Sequence, residues 1–367
     1  MRKLLIITLL SLLIPFAANA SVLSDAAATM VAGEWKKINT GLTRSQVMQN
    51  RYDGGENCIF QYASELQWDN VNRRVIYVGG GHNTVWNRLI YYVDNNLWVN
   101  YGDINFGMGI QPYDQPAIRS IDPITIYSNN RTGDGSIAKW TDAGGWALDH
   151  DLQPHYLEAG GMPVSVEYFP ETNSLILFSG VSGKLYRYPL GSDVIYIATY
   201  TGDYNSATRY SPVHKVVIFG GGAYKNVWQI DNANIVKKLA DAPYDWASSR
   251  NTIITVDPIS GNFLFFFGSG GGMSQPTEDK FYTFNPTNNV WTQQLWTTKP
   301  PIFQTPSSYD PSTFQVVATP ISDYGVVMFA FHNLYMTGDP EVWLYKHSNS
   351  VSPDTTPPAA PTGLSVN

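Results

Sequence analysis

One short segment recurs along this chain, and its recurrence constrains the fold more than any other feature. Each copy follows a turn that contains Asp, Pro or Asn, is strongly apolar, and ends in small or polar residues. The copies begin 49, 51, 41, 48 and 62 residues apart. They occupy residues 75–81, 124–128, 175–180, 216–222, 264–268 and 326–330.

These segments are apolar on both faces, which predicts strands sandwiched between neighbouring sheets. Their spacing is typical of four-stranded propeller blades, which take about 40–50 residues each. We therefore predict an all-β, six-bladed β-propeller over residues 33–348, with seven blades as the alternative. The sixth unit lacks an outer strand of its own, and residues 34–38 are predicted to supply it. Such a closure protects a sheet edge that would otherwise be exposed.

The best-formed unit carries a family resemblance. Residues 75–98 read VIYVGGGHNTVWNRLIYYVDNNLW, with a strand, a Gly pair, an aromatic strand and a Trp after an Asp-Asn-Asn turn. This resembles a kelch motif, and residues 33–348 resemble the kelch superfamily, to which galactose oxidase belongs. Units two and three depart from the motif at the Gly pair. The resemblance implies a kelch-type propeller without implying one activity, because kelch propellers serve as enzymes, adhesins and scaffolds.

Both ends of the chain differ in composition from the repeats. Arg2 and Lys3, an apolar run and the sequence Ala18-Asn19-Ala20 predict a signal peptide over residues 1–20 and a secreted, periplasmic or extracellular protein. The apolar run is shorter than the roughly 20 residues of a spanning helix, so no stable membrane insertion is expected. Residues 349–367 predict a Pro/Thr-rich linker, and their last part resembles the start of a fibronectin type III domain.

Charge and cysteine content narrow the partners. The formal net charge is −7 and no basic stripe is present, which argues against nucleic acid. The single cysteine, Cys58, excludes an intramolecular disulfide and is predicted to be buried. We expect a monomer.

Candidate site residues follow the apolar strands, in loops that open on one face of a propeller. The first and sixth units place His-Asn there, which gives His82 and His332. The second unit places Arg131 at the corresponding point. Imidazoles and a guanidinium suit a metal or acid–base site. The alternative is that these side chains hydrogen-bond their own loops.

Further polar and aromatic side chains lie in the same loops and in those that enter each blade. Tyr and Trp suit sugar rings, which stack on aromatic faces, although each ring alternatively packs on its own loop. The predicted ligand-binding residues are Asn83, Asn333, Tyr113, His155, Tyr156, Tyr204, Trp246 and Arg250.

Three functions fit these features, and whether the protein is an enzyme stays open. The first is a module that binds an extracellular polysaccharide or a surface protein; it requires no cofactor, although a divalent metal is compatible with it. The second is a polysaccharide lyase that acts on uronate polymers by β-elimination, with His82, His332, Arg131 and a loop Tyr. The third, implied by the kelch resemblance, is a copper-radical oxidase in which Cys58 and Tyr113 would supply the cofactor side chains.

Overall fold

The computed structural model describes residues 21–51, 54–80, 85–103, 116–129, 136–150, 164–203, 205–246, 252–269, 276, 278–296, 315–332 and 336–348. Both the predicted signal peptide and residues 349–367 lie outside these ranges. No helix among the described residues is long and apolar enough to cross a bilayer.

The chain enters the fold through a short helix and a hairpin that precede the first blade. Helix α1 begins after Ser21, whose hydroxyl accepts from the amide of Ser24. Its apolar face carries Leu23, which is fully buried. The elements of this segment are α1 (Val22–Ala28), β1 (Trp35–Ile38), α2 (Arg44–Val47), β2 (Met48–Asn50) and β3 (Glu56–Cys58).

Six four-stranded antiparallel sheets follow, and they form the blades of the predicted six-bladed β-propeller. Blade one comprises β4 (Gln67–Asp69), β5 (Arg74–Gly79), β6 (Asn87–Tyr92) and β7 (Leu97–Asp103). Blade two comprises β8 (Pro116–Arg119), β9 (Thr125–Asn129), β10 (Ile137–Thr141) and β11 (Gly145–His150). Blade three comprises β12 (Val164–Phe169), β13 (Ser174–Ser179), β14 (Lys184–Pro189) and β15 (Ile195–Thr199).

The second half of the ring repeats this order. Blade four comprises β16 (Ser206–Ser211), β17 (Val216–Gly221), β18 (Val227–Ile230) and β19 (Val236–Lys238). Blade five comprises β20 (Thr252–Val256), β21 (Phe263–Phe267), β22 (Lys280–Asn285) and β23 (Val290–Gln294). Blade six comprises β24 (Val316–Ile321), β25 (Val326–Phe331), β26 (Glu341–Tyr345) and, on its outer edge, β1.

The second strand of each blade forms the centre of the core, as the sequence predicted. All residues of β13 and of β25 are buried, because both faces of each strand are covered by adjacent blades. The hydrophobic clusters accordingly combine residues of neighbouring blades, as where Phe266 of blade five packs edge-on against Phe329 of blade six.

The ring closes through the N-terminal strand, which confirms the predicted closure. Trp35 of β1 lies opposite Tyr345 of β26, and Ile38 lies opposite Val342. The indole of Trp35 stacks on the Tyr345 ring at 4.4 Å between centroids. The first and last strands of the propeller are thus held in one sheet.

Two faces result from this arrangement. The face that carries the tight turns between the first and second strands of each blade is called the turn face below. The opposite face, which carries the connections after the second strands, is called the loop face. His332, which follows β25, belongs to the loop face.

Candidate functional site

The structure describes two of the predicted site residues, His332 and Trp246. The others lie outside the described residues: His82, Asn83, Tyr113, Arg131, His155, Tyr156, Tyr204, Arg250 and Asn333.

His332 directly follows β25 on the loop face and is fully buried. Its backbone amide donates to the carbonyl of Gln315 at 3.2 Å, and neither ring nitrogen has a hydrogen-bond partner among the described residues. Burial lowers the pKa of His332 to about 4; the positive charge of Arg44 acts in the same direction, whereas Asp339 opposes it. The imidazole is therefore neutral at neutral pH, and in this conformation solvent does not reach it.

Trp246 is also fully buried, which contradicts its predicted role as a loop aromatic that faces a ligand. Its indole Nε1 donates to the carbonyl of Asn226 at 3.0 Å, and its ring meets Phe265 edge-on at 5.4 Å. Gly221 has a φ of +79°, and a Cβ at this position would overlap the indole ring. The missing side chain leaves the space that the indole fills, so Trp246 belongs to the core.

Cys58 is buried, as predicted, at the end of β3. Burial raises the pKa of its thiol to about 12, so the thiol is protonated at neutral pH. Among the described residues, no group of three or more His, Cys, Asp or Glu side chains is arranged to hold a metal ion.

A cavity of about 370 Å³ lies at the centre of the propeller. It extends toward the turn face, between the C-terminal ends of the innermost strands. Its wall is mainly apolar and includes Ile118, Tyr168, Tyr210, Ile254 and Pro320. Every blade contributes to this wall, because the innermost strands all converge on the hub.

The charged residues of the cavity form its floor. Among the described residues they are Glu65, Glu167 and Arg209, so this part of the lining carries two carboxylates and one guanidinium. Nη1 of Arg209 lies 2.6 Å from Oε1 of Glu65, and both side chains are more than nine-tenths buried. Burial of an ion pair is tolerated when the remaining donors and acceptors are satisfied.

The guanidinium of Arg209 donates hydrogen bonds to three parts of the propeller. Its Nε donates to the carbonyl of Ile254 in blade five, at 2.9 Å. Nη1 donates to the carbonyl of Thr208 at 2.6 Å, and Nη2 donates to the hydroxyl of Ser64 at 3.1 Å. A guanidinium engaged in this way holds the floor in one geometry.

Glu65 reaches the hub because the segment before β4 pairs with blade six. The amide of Leu66 donates to the carbonyl of Ala318 at 3.0 Å, and the amide of Ala318 donates to the carbonyl of Ser64 at 3.2 Å. This parallel contact joins blades one and six at their innermost edge and directs Glu65 into the cavity.

Hydrogen bonds fix two aromatic side chains in the wall. The hydroxyl of Tyr168 donates to Oδ1 of Asn173 at 2.9 Å, and that of Tyr210 donates to Oε1 of Glu171 at 2.9 Å. Burial raises the pKa of Tyr210, and the neighbouring carboxylates of Glu171 and Glu167 add to the increase. The Tyr210 phenol is therefore a protonated donor at neutral pH. The two hydrogen bonds hold the rings of Tyr168 and Tyr210 as rigid apolar walls.

Comparison with known proteins finds similar solved structures at low sequence identity. No protein-family model matches the sequence, and neither does any curated protein. A structural-genomics protein of unknown function from Bacteroides thetaiotaomicron is similar at 12% identity and a TM-score of 0.49, over 87% of this chain and 74% of that one. A streptogramin B lyase is similar at 12% identity and a TM-score of 0.48, over 84% and 97% of the two chains.

A third similar structure is a GH74 enzyme from Niastella koreensis, at 11% identity and a TM-score of 0.48, over 81% of this chain and 52% of that one. At such identities and TM-scores, the activities of these proteins do not extend to this chain. The resemblance to the kelch superfamily stays a prediction.

Sequence reasoning did not identify the cavity, although a signal for it exists. The motif Glu167-Tyr168-Phe169-Pro170 in blade three recurs as Arg209-Tyr210-Ser211-Pro212 in blade four. A charged residue near the end of an innermost strand, three residues before Pro, is a marker for the hub. Glu65 offers no such marker, because its position depends on the contact with Ala318.

Proposed function

We propose that this protein is an exported binding protein whose propeller receives its ligand in the central cavity. The observation that carries the proposal is the construction of the cavity, with apolar walls above a fixed, charged floor. Ligand sites are commonly concave, mostly apolar and about 300–1,000 Å³ in volume, with a few polar groups that orient the ligand. A cavity of about 370 Å³ lies in the lower part of this range.

The size of the cavity suits one inserted group better than an extended chain. A single sugar ring or one large side chain fits such a volume, and the remainder of the partner would lie on the turn face. An extracellular polysaccharide or a surface protein therefore remains the proposed partner, and secretion follows from the predicted signal peptide. The net charge of −7 argues against nucleic acid, and a monomer provides the whole cavity.

A buried His332 supports binding over β-elimination. A lyase base has to come within hydrogen-bond reach of the proton that it removes. The imidazole of His332 is fully buried, on the face opposite the cavity mouth. For this reason we propose binding at the cavity and not cleavage of a uronate polymer.

Substitution of one wall residue tests the proposal. Ile118 lines the cavity and is half-buried, so Ile118→Trp would fill part of the volume without a new charge. Leu148→Trp is the matched control, because Leu148 lies in the same blade and is 57% exposed on its outer strand. Ligand-observed NMR with monosaccharides and N-acetyl amino-acid amides would measure binding to each variant.

We expect a subset of these probes to bind the wild type and Leu148→Trp with equal affinity. The affinity of the same probes for Ile118→Trp should be at least about tenfold lower. Thermal unfolding would verify that both variants are folded. Equal binding of the same probes to all three proteins would show that the cavity is not the site. An absence of binding by every probe to the wild type would contradict the proposal itself.

A further inference from the structure

Arg88 occupies a distorted position in the third strand of blade one. The register of β6 against β7 shifts here: Asn87 lies opposite Asp103, whereas Leu89 lies opposite Asn100. Gly102, on the facing strand, has a φ of +71°. Such bulges redirect side chains and are frequent beside functional sites. In this case the irregularity accompanies a side chain directed at blade two.

Two aromatic rings hold the guanidinium of Arg88 between them. Its central carbon lies 4.5 Å from the ring centroid of Tyr101 in blade one and 4.3 Å from that of Trp140 in blade two. Both distances are within the range of cation–π contact, and a planar guanidinium stacks well on such rings. The rings therefore fix the cation at the boundary between the two blades.

Arg88 lacks an anionic partner among the described residues. Its Nε is buried without a hydrogen-bond acceptor, and none of the ion pairs of the described chain includes it. The indole Nε1 of Trp86, two residues earlier, is likewise buried without a described acceptor. Trp86 and Trp140 pack in one hydrophobic cluster, so both unpaired donors belong to the same boundary between blades.

The other charges at this boundary are already engaged with each other. Arg74 donates from Nη1 to Oδ1 of Asp142 at 2.9 Å and from Nη2 to the second oxygen of the same carboxylate. Arg74 also donates from Nε to Asp69 at 2.6 Å. Asp142 thus serves Arg74, and its charge acts on Arg88 only from a distance.

A half-buried cation without an acceptor is energetically unfavourable. Burial lowers the pKa of Arg88, against the opposing influence of Tyr101, Asp142 and Tyr92. A cation that loses water without gaining hydrogen bonds carries a desolvation cost, and an anion that accepts from it removes this cost. The position is therefore prepared for an anion from outside the described chain.

We propose that Arg88, together with the hydroxyls of Tyr92 and Tyr101, forms a binding site for the carboxylate of a sugar acid. A guanidinium matches a carboxylate in a two-pronged geometry. The two hydroxyl oxygens lie 2.5 Å apart, and Tyr101 is 45% exposed, so these groups are placed to hydrogen-bond sugar hydroxyls beside the carboxylate. This site is separate from the central cavity and does not depend on it.

Titration with three small probes tests the site in the mature protein. Glucuronate carries both the carboxylate and the sugar ring, glucose carries the ring without the charge, and acetate carries the charge without the ring. The informative variants are Arg88→Gln, which removes the charge, and Tyr101→Phe, which keeps the ring and removes the hydroxyl. Arg73→Gln is the matched control, because Arg73 also lies over a tyrosine ring but is paired with Asp94 at 2.8 Å.

Glucuronate should bind the wild type and Arg73→Gln with equal affinity. Its affinity for Arg88→Gln should be at least about tenfold lower. Tyr101→Phe should weaken the binding of glucuronate and leave the binding of acetate unchanged. A purely structural role of Tyr101 would not give this difference between the two probes. Unchanged glucuronate affinity in a folded Arg88→Gln variant would overturn the proposal. Acetate or glucose binding as tightly as glucuronate would overturn its assignment to a sugar acid.

Discussion

Nη1 of Arg209 lies 2.6 Å from Oε1 of Glu65, and this contact spans the hub of the propeller. Arg209 belongs to blade four, whereas Glu65 directly precedes blade one and lies beside blade six. In a ring of six blades, these positions face each other. The ion pair therefore connects opposite sides of the ring and also provides the floor of the cavity.

Removal of one partner of this pair should be strongly destabilising. Arg209→Met would leave the buried carboxylate of Glu65 without its guanidinium and would remove the donors to Ile254 and Ser64. Loss of one member of a buried pair costs about 3–5 kcal/mol. The free energy of unfolding, measured by urea denaturation, should fall by an amount of this order.

The double variant Arg209→Met/Glu65→Met separates the charge effect from the packing effect. Because the carboxylate of Glu65 is removed together with its guanidinium partner, it should be more stable than Arg209→Met alone. Equal stability of the single and double variants would show that the unpaired carboxylate is not the source of the loss.

Gly221 should be intolerant of a side chain. Its φ is +79°, and a Cβ would overlap the carbonyl oxygen and the indole of Trp246. Gly145 also has a positive φ, +64°, but no atom lies within 4 Å of a Cβ built on it. Gly145→Ala therefore reports the backbone strain alone, about 1–2 kcal/mol. Gly221→Ala should lower the thermal midpoint clearly further, and equal midpoints would contradict the proposed overlap with Trp246.

The buried His332 should make the protein sensitive to mild acid. Its pKa is about 4 in the folded state and 6.5 in its ordinary state, so the unfolded chain binds a proton more readily between these values. Stability contributed by the neutral imidazole is complete above about pH 6.5 and is lost as the pH falls toward 4, by about 3 kcal/mol in total. In His332→Gln, the dependence of unfolding free energy on pH should be shallower across this window; an unchanged slope would contradict the shift.

Strand β1 should prevent self-association of the protein through the edge of β26. Deletion of residues 21–38 would remove β1 and expose the edge of β26, which now pairs with it from Trp35 to Ile38. An unpaired edge strand is a template for association with another chain. Light scattering should show self-association of this variant. Deletion of residues 21–30 removes α1, keeps β1 and should cause no such self-association.

The fold was predictable because its signal is local and repeated. Residues 175–178 and 326–330 are apolar at every position, so only a strand covered on both faces accommodates them. The unpaired sixth unit and the strand-like residues 34–38 together predicted the closure. These inferences needed no knowledge of side-chain geometry.

The candidate site was harder to predict because long-range contacts create it. Glu65 lies in no strand and enters the cavity through its pairing beside Ala318, more than 250 residues away in sequence. Trp246 resembles an exposed loop residue until Gly221 is known to leave room for its indole. No sequence pattern marks Arg88 as a site residue. Only the fold places its guanidinium between the rings of Tyr101 and Trp140.

The salt bridge across the hub also bears on how a partner enters and leaves. With Arg209 anchored to Glu65 and Ser64, the centre of the propeller is a blind pocket and not an open channel. A long polymer would not thread through such a ring; it would present one end or one branch to the mouth and withdraw by the same route. The cavity would then hold one ligand at a time, and a second ligand could bind only after the first has dissociated.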